Sequence, residues 1–345
     1  MFEPTIKDIA KLCGVGVSTV SRAINNHPDI NPETKEKIME TIKEYGYVPN
    51  DSARNLKRVD AKAIAVLVKG IANPFFTSMI KIIEGECKRK NYAMELTHIE
   101  ADEDEVDVAQ KVVKEKRLRG IIFLGGLFYH SEEKLKKLNV PFVFSTAGSI
   151  PENISKNLYS NVGVDDRKES ARMVDYLIGL GHTKIAILAA EAEGQSIGKL
   201  RLDGYCDAFR AHGLEVNPRL IFHAYDELSH FSMENGYRTT KRILESGERF
   251  TALFAVADAL AIGASRALTE AGYRIPEDIS LAGYDGIDMA NYITPSLTTM
   301  RQPVEDIARE TTKLLFDIIS GRMKHQHITY EAELLEKEST RRIKE

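Results

Sequence analysis

Apolar residues recur with two different rhythms along the chain, and the change comes near residue 61. Before it the spacing is helical. Ile6, Ile9 and Ala10 form one stripe, and small Ala10 leaves room for a second helix to cross closely. Gly14 follows the last apolar position of that stripe, where a left-handed residue closes a helix. The next helix begins within three residues and places Val20 and Ile24 four apart toward a core, leaving Val17, Ser18, Ser21 and Arg22 outward. Asn31 as N-cap and Pro32 at the first helical position open a third helix, which runs through Ile38, Ile42 and Tyr45 to Gly46.

After residue 61 short apolar runs alternate with amphipathic stretches. Strands are expected at 63–68, 92–97, 120–124, 142–144, 185–188, 252–256 and 280–284, with a helix from Phe75 to about Lys90 after the first. Continuous apolar strands separated by helices predict parallel sheets covered on both faces, which bind ligands at the carboxyl ends of their strands. A chain of 345 residues with 43% hydrophobic content exceeds one core, so two or three domains are expected.

The first three helices have the spacing of a helix-turn-helix, whose second helix enters the major groove. Arg22 can pair with guanine, a contact worth roughly 1–3 kcal/mol of discrimination, while Ser21, Thr19 and Asn25 suit phosphates. Charge alone does not argue for DNA, because residues 1–60 carry nine Lys or Arg and nine Asp or Glu. The binding face must be basic locally, and Lys7, Arg22, Arg54, Lys57 and Arg58 are candidates, with Glu36, Glu40 and Glu44 on the far side of the third helix. The alternative is a three-helix unit that binds nothing.

Further motifs bring the chain close to a known family. Thr19-Val20-Ser21-Arg22, Pro49-Asn50-x-x-Ala53-Arg54-x-Leu56, Gly181-His182-x-Lys184-Ile185-Ala186, Leu200-Arg201-x-x-Gly204-Tyr205, Pro276-Glu277-Asp278-Ile279-Ser280, Gly283-Tyr284-Asp285 and Leu297-Thr298-Thr299 with Gln302-Pro303 span nearly its whole length. In these it resembles the LacI/GalR family of bacterial transcription regulators. The resemblance implies an N-terminal all-α helix-turn-helix domain (1–47), a hinge (48–60) and an α/β two-lobed, periplasmic-binding-protein-like domain (61–342). It implies an N-lobe of about 61–163 and 294–325 and a C-lobe of about 164–293 and 326–342, with crossovers near 162–165, 291–295 and 324–328. Thr5, Thr34, Tyr47, Asn50, Ala53 and Arg54 join the expected DNA contacts, and Leu56 becomes a wedge between base steps of the minor groove.

A ligand between the lobes is implied too. Asn73, Phe75 and Phe76 follow the first strand, where a ring can stack on a sugar face. Arg201 matches the family's ligand arginine, able to donate to two hydroxyls or to a carboxylate or phosphate, and Asp285 matches the acid that accepts sugar hydroxyls. Ser145, Tyr225 and Asp258 are further effector candidates, although Asp258 can instead cap the helix it begins. Two positions depart from the family: Ala257 replaces a polar residue near the ligand, and Gly16 replaces the usual Ser at the recognition-helix N-cap.

The remaining features narrow the class. Cys13, Cys87 and Cys206 lie far apart without metal-site spacing, and His325-Gln326-His327 reads as a surface strand. The run Glu100–Glu105 reads as a solvated loop or a first helical turn. No apolar run approaches the about 18 residues of a membrane helix, and no signal-peptide core is present, so a cytoplasmic chain is expected. The Gly-x-Ser-x-Gly elbow, phosphate loop and zinc signature are absent, which leaves no recognisable catalytic motif and no expected cofactor or metal. The expectation is a non-enzymatic, effector-controlled homodimeric repressor on a pseudo-palindromic operator, with a carbohydrate effector. A phosphoprotein corepressor stays open, as does a sugar-binding module or enzyme carrying a non-functional DNA-binding unit.

Overall fold

Helix ends in the first unit, Met1–Ala61, are made by the residues whose chemistry suits them. The computed structural model describes residues 4–24, 26–45, 47, 62–100, 102–126, 130–147, 154–190, 196–225 and 230–343. Helix α1 (Ile6–Cys13) begins at Thr5, whose hydroxyl and N–H donate to Asp8 at 2.6 and 2.8 Å and hold that carboxyl below its ordinary range. It ends at Gly14, φ 70°, with the N–H groups of Gly14 and Val15 returned to Lys11 and Ala10 carbonyls. Asn31 caps α3 (Pro32–Glu44) by accepting from the Glu33 and Thr34 N–H groups at 2.9 and 3.2 Å. Between them lies α2 (Val17–Ile24). Ile9, Ala10, Cys13, Val20, Ala23 and Ile38 are buried together, with Ile6, Ile24, Ile42 and Tyr47 packed around them.

The second unit, Lys62–Glu345, holds two six-stranded sheets. In spatial order the first is β2 (Ala93–Ile99), β1 (Ala63–Lys69), β3 (Ile121–Leu124), β4 (Phe142–Ser145), β5 (Ser160–Val164) and β11 (His327–Tyr330), all parallel. The second is β7 (Ile221–His223), β6 (Ile185–Ala189), β8 (Ala252–Ala255), β9 (Ser280–Asp285), β10 (Thr298–Arg301) and β12 (Glu333–Leu335). Only its last pair, β10 with β12, is antiparallel among the described strands. Strands β1, β3, β4, β6, β8 and β9 are buried along most or all of their length, as expected where helices cover both faces.

Helices α4 (Pro74–Arg89), α5 (Glu105–Lys116), the short α6 (Glu132–Lys136) and α11 (Val304–Ile319) belong to the first lobe. Thr311 on α11 hydrogen-bonds Ser145 at 2.9 Å, and Phe316 packs on Tyr92 with ring centroids 4.6 Å apart. Helices α7 (Asp166–Gly179), α8 (Ile197–Ala211), α9 (Met233–Glu245) and α10 (Asp258–Glu270) belong to the second. The chain passes between lobes at Asp165, at 302–303 and at 331–332.

The second and third crossovers therefore lie beyond the expected 291–295 and 324–328. Pro295 and its polar neighbours belong to a turn within the second lobe, and β10 then pairs with β9 before the chain leaves. Likewise His327–Tyr330 pairs with β5 of the first lobe rather than joining the second. Of the two readings of the acidic run, the first helical turn holds at its end: Asp104 caps α5 and Glu105 heads it with 4% exposure, Lys69 lying 3.5 Å from its carboxylate.

Candidate functional site

The outward residues of α2 lie where the helix-turn-helix spacing puts them. Val17 is 42% exposed, Ser18 and Arg22 are exposed, and Thr19 and Ser21 are partly so, while Val20 beneath them is fully buried. The Gly16 carbonyl accepts from the Val20 N–H at 3.2 Å, so Gly16 serves as the N-cap without a side chain. Lys37 donates to the Cys13 carbonyl at 3.3 Å, tying α3 to the negative end of α1. Thr5 and Asn31 cap helices, the Thr34 N–H donating to the Asn31 side chain, and Tyr47 packs against the core of the unit. Asn25, Asn50, Ala53, Arg54 and Leu56 lie outside the described residues.

Between the two sheets a buried polar cluster joins the lobes. Asn73 caps α4 by accepting from the Phe75 N–H at 3.0 Å, which turns its amide Nδ2 toward the other lobe, where it donates to Asp285 at 3.1 Å. Asp285 ends β9 with φ 115°, a conformation L-residues rarely adopt and one that marks functional sites. Its other oxygen accepts from Gln302 at 2.9 Å and faces the Arg201 guanidinium at 3.2 Å. Arg201 Nε donates to Asp166 at 2.8 Å, Nη1 donates to the Val256 carbonyl at 2.5 Å, and the guanidinium plane lies 3.7 Å from the Tyr284 ring centre. All five charged or amide groups, Asn73, Asp166, Arg201, Asp285 and Gln302, are at most 5% exposed.

Burial raises the Asp166 and Asp285 carboxyls above their ordinary range, with the Arg201 charge pulling each the other way. For Arg201 burial disfavours the charge, but the two carboxylates outweigh it and keep the guanidinium protonated. Asp258 supports the cluster from below. It accepts from the Ile287 N–H at 2.8 Å and the Thr299 hydroxyl at 2.6 Å, so it fixes the turn after Asp285 rather than capping its own helix. Burial pushes its carboxyl up to about 8, the Asp285 charge acting in the same sense. Gly283 is required here, because a Cβ at that position would run into Asp258 Oδ1.

The side chains of the other expected effector residues have partners outside this cluster. Phe75 and Phe76 are 3% and 6% exposed and meet edge to face, 5.5 Å between centroids, in the core of the first lobe. The Ser145 hydroxyl pairs with Thr311 on α11. Tyr225 has its backbone held by Asn235 and its ring beneath the Arg242 and Arg238 guanidiniums of α9, at 4.4 and 5.2 Å. Ala257 is buried at the head of α10. Asp166, Tyr284 and Gln302 join the cluster beyond the sequence expectation, Tyr284 and Gln302 from the Gly283-Tyr284-Asp285 and Gln302-Pro303 motifs and Asp166 from just after a strand end.

Among the described residues no group of three His, Cys, Asp or Glu side chains is arranged to hold a metal, and no helix is long and apolar enough to cross a membrane. His325 instead pairs with Ser160 at 3.0 Å, and His327 with the Lys156 carbonyl. Cys13 and Cys87 are buried thiols and Cys206 a half-buried one, burial pushing Cys87 up to about 12.

Comparison with known proteins places both units. Residues 5–50 match the model of bacterial regulatory proteins of the lacI family, and residues 174–340 match a periplasmic binding protein-like domain. The transcriptional regulator MalR of Clostridium butyricum is 38% identical over 344 residues, covering 97% of this chain and 98% of MalR. The transcriptional repressor PurR of Mannheimia succiniciproducens is 30% identical, covering 98% and 99%. Among solved structures, the transcriptional regulator CelR in complex with cellobiose superposes with a TM-score of 0.71 at 28% identity, covering 98% of this chain and all of that one.

Proposed function

This chain belongs to the LacI family of bacterial regulatory proteins and is a DNA-binding transcription regulator, and we propose that it is a homodimeric repressor whose operator affinity is set by a sugar or sugar derivative bound between its lobes. The observation that carries the proposal is the Asn73–Asp285 hydrogen bond, which links a helix cap of one lobe to a strand end of the other beside Arg201. A polyol inserted there would exchange hydroxyls for these contacts, the carboxylates accepting and the arginine donating. Because Asp166 directly follows the first crossover and Gln302 belongs to the second, such an exchange acts where the lobes are joined. The effector must bind two lobe arrangements unequally, since equal affinity shifts nothing.

On the DNA side, Val17, Ser18 and Arg22 are assigned to base edges and Thr5, Thr19, Ser21, Asn25, Thr34 and Tyr47 to the backbone. Asn50, Ala53, Arg54 and Leu56 are assigned to a hinge whose leucine wedges the minor groove. A two-fold operator follows from a dimer, and the cytoplasm from an operator on the chromosome. Cellobiose in the CelR relative supports a carbohydrate effector. Fluorescence anisotropy on the chain's own upstream DNA and on scrambled DNA, at two salt concentrations, tests the assignment. Strong preference for the specific DNA is expected, altered by one member of a sugar panel. Equal, salt-sensitive binding to every sequence would refute it.

A further inference from the structure

Asp285 reaches Asn73 from a strained backbone. Its φ of 115° is followed by 74° at Gly286, so two consecutive residues at the end of β9 have positive φ. For an aspartate such a conformation persists only where surrounding contacts over-determine it. One restraint comes from the neighbouring strand, the Gln302 N–H donating to the Asp285 carbonyl at 3.1 Å. The other comes from a helix. Asp258, fully buried at the head of α10, accepts from the Ile287 N–H at 2.8 Å, two residues past Asp285, and from the Thr299 hydroxyl of β10 at 2.6 Å. The mount of this strut is firm: α10 lies so close to α9 that a Cβ at Gly236 or Gly263 would run into the backbone of the facing helix. Two residues before Asp258, the Val256 carbonyl accepts from Arg201 at 2.5 Å, so the head of α10 holds the guanidinium as well as the turn.

We propose that Asp258 is a positioning residue for the contact between the lobes, keeping the 285–287 turn in the strained form from which the Asp285 carboxylate reaches Asn73; the proposal rests on the interlobe site described above. Relaxing φ of Asp285 to the about −120° of an ordinary parallel strand would turn its Cβ by about 125° around the N–Cα bond. That rotation carries the carboxylate away from both Asn73 and Gln302. Asp258 therefore touches neither the other lobe nor Asn73, yet decides whether the cross-lobe bond forms. Gly283 belongs to the same device, because only a residue without a Cβ leaves room for the Asp258 carboxylate to stand where it does.

The test is a double-substitution cycle on the unfolding constant of the full chain, measured by urea titration near neutral pH. Asn73→Ala alone should raise that constant about tenfold or more, as loss of a hydrogen bond to a charged acceptor does. In an Asp258→Ala background the same change should cost less than about twofold, because the carboxylate has already left Asn73. A purely structural Asp258 predicts about tenfold in both backgrounds. Asp258→Asn keeps an acceptor for the Ile287 N–H and should restore the Asn73 cost to within about twofold of its native value. Ser339→Ala is the control: its hydroxyl joins Thr298 and Leu281 near the amino ends of the same strands, at 2.8 and 2.6 Å, and its loss should leave the Asn73 cost unchanged. Coupling is reciprocal, so Asn73→Ala by itself should speed hydrogen exchange at the Ile287 amide by at least about threefold, a readout that stands even where Asp258→Ala does not fold. Unchanged exchange at Ile287, equal Asn73 costs in the native and Asp258→Ala backgrounds, or a control that erases the Asn73 cost as Asp258→Ala does, each overturn the inference and leave the interlobe site standing. An Asn73→Ala cost below about twofold in the native chain removes the cross-lobe contact itself, and the interlobe reading fails with it.

Discussion

Replacing Arg201 with Met keeps most of the side-chain volume and removes the cation that pairs with both Asp166 and Asp285, each at most 5% exposed. Breaking a buried pair from one side costs about 3–5 kcal/mol, because a charge stays behind uncompensated. Two carboxylates remain here, so the upper end of that range is expected. The dependence on pH identifies the cause. In the native protein both carboxyls are already raised by burial, with Arg201 opposing, and without Arg201 they rise further. A carboxyl raised on folding contributes stability that is fully present below its unfolded value of about 3.9 and is lost as pH rises through its folded value. The loss caused by Arg201→Met should therefore be largest at pH 8 and shrink toward pH 5, and adding Asp166→Asn should recover part of it at pH 8. Urea unfolding followed by circular dichroism at the two pH values measures this. A loss below about 1 kcal/mol, or one of equal size at both pH values, would refute the argument that stranded charge sets the cost.

Three further outcomes are expected. Ile38→Ala removes a fully buried side chain from the small core of the first unit and should cost about 2–5 kcal/mol, abolishing operator binding while calorimetric effector binding persists. Arg22→Ala should weaken specific binding by about 1–3 kcal/mol in anisotropy and leave scrambled-DNA binding within a few-fold. His182 is 2% exposed, its ring joining Thr251 and the Arg341 carbonyl, and burial lowers its pKa. Stability should be unaffected by this residue above its unfolded value of about 6.5 and fall as pH drops below it, so His182→Gln should flatten the decline between pH 7.5 and 5.5 in thermal melts.

Much of the fold is legible because local chemistry and burial agree. Gly14, Asn31 with Pro32, and the unbroken apolar run of β1 each specify one conformation and meet it. Strands carrying polar residues escape the same reading. Ser160 and Asn161 open β5, and Thr298 and Thr299 open β10, where hydroxyls satisfied by Gln326, Thr340 and Asp258 make polar positions compatible with burial. The second and third crossovers escape the reading for that reason, since β10 and β11 carry no apolar run to announce them, whereas the first falls at Asp165, within the expected 162–165. In the cluster, Arg201 and Asp285 were found through the resemblance, whereas Asp166 looks like an ordinary acid of a first helical turn. Asp258 was placed against the ligand, but its bonds go to Ile287 and Thr299.

The position of the cluster along the chain explains how a ligand there can be felt elsewhere. Asp285 binds Gln302 twice, through the Gln302 side chain at 2.9 Å and through its own carbonyl to the Gln302 N–H at 3.1 Å, so the second crossover is anchored to the strand end that presents the carboxylate. The first crossover is one residue from Asp166, which Arg201 holds. Helix α7, begun by Asp166, also grips the third: Lys168 reaches Glu331 at 3.1 Å and Arg172 reaches the Ala332 carbonyl at 3.0 Å. One guanidinium thus stands between groups that restrain all three passages between the lobes. Packed interfaces shift between discrete arrangements rather than deforming continuously, so a ligand that trades contacts at Arg201 biases the angle between lobes in steps. The energy available is only the difference between the contacts it makes in the two arrangements, and on the proposed function the cross-lobe bond from Asn73 to Asp285 is the contact whose gain or loss such a ligand would set.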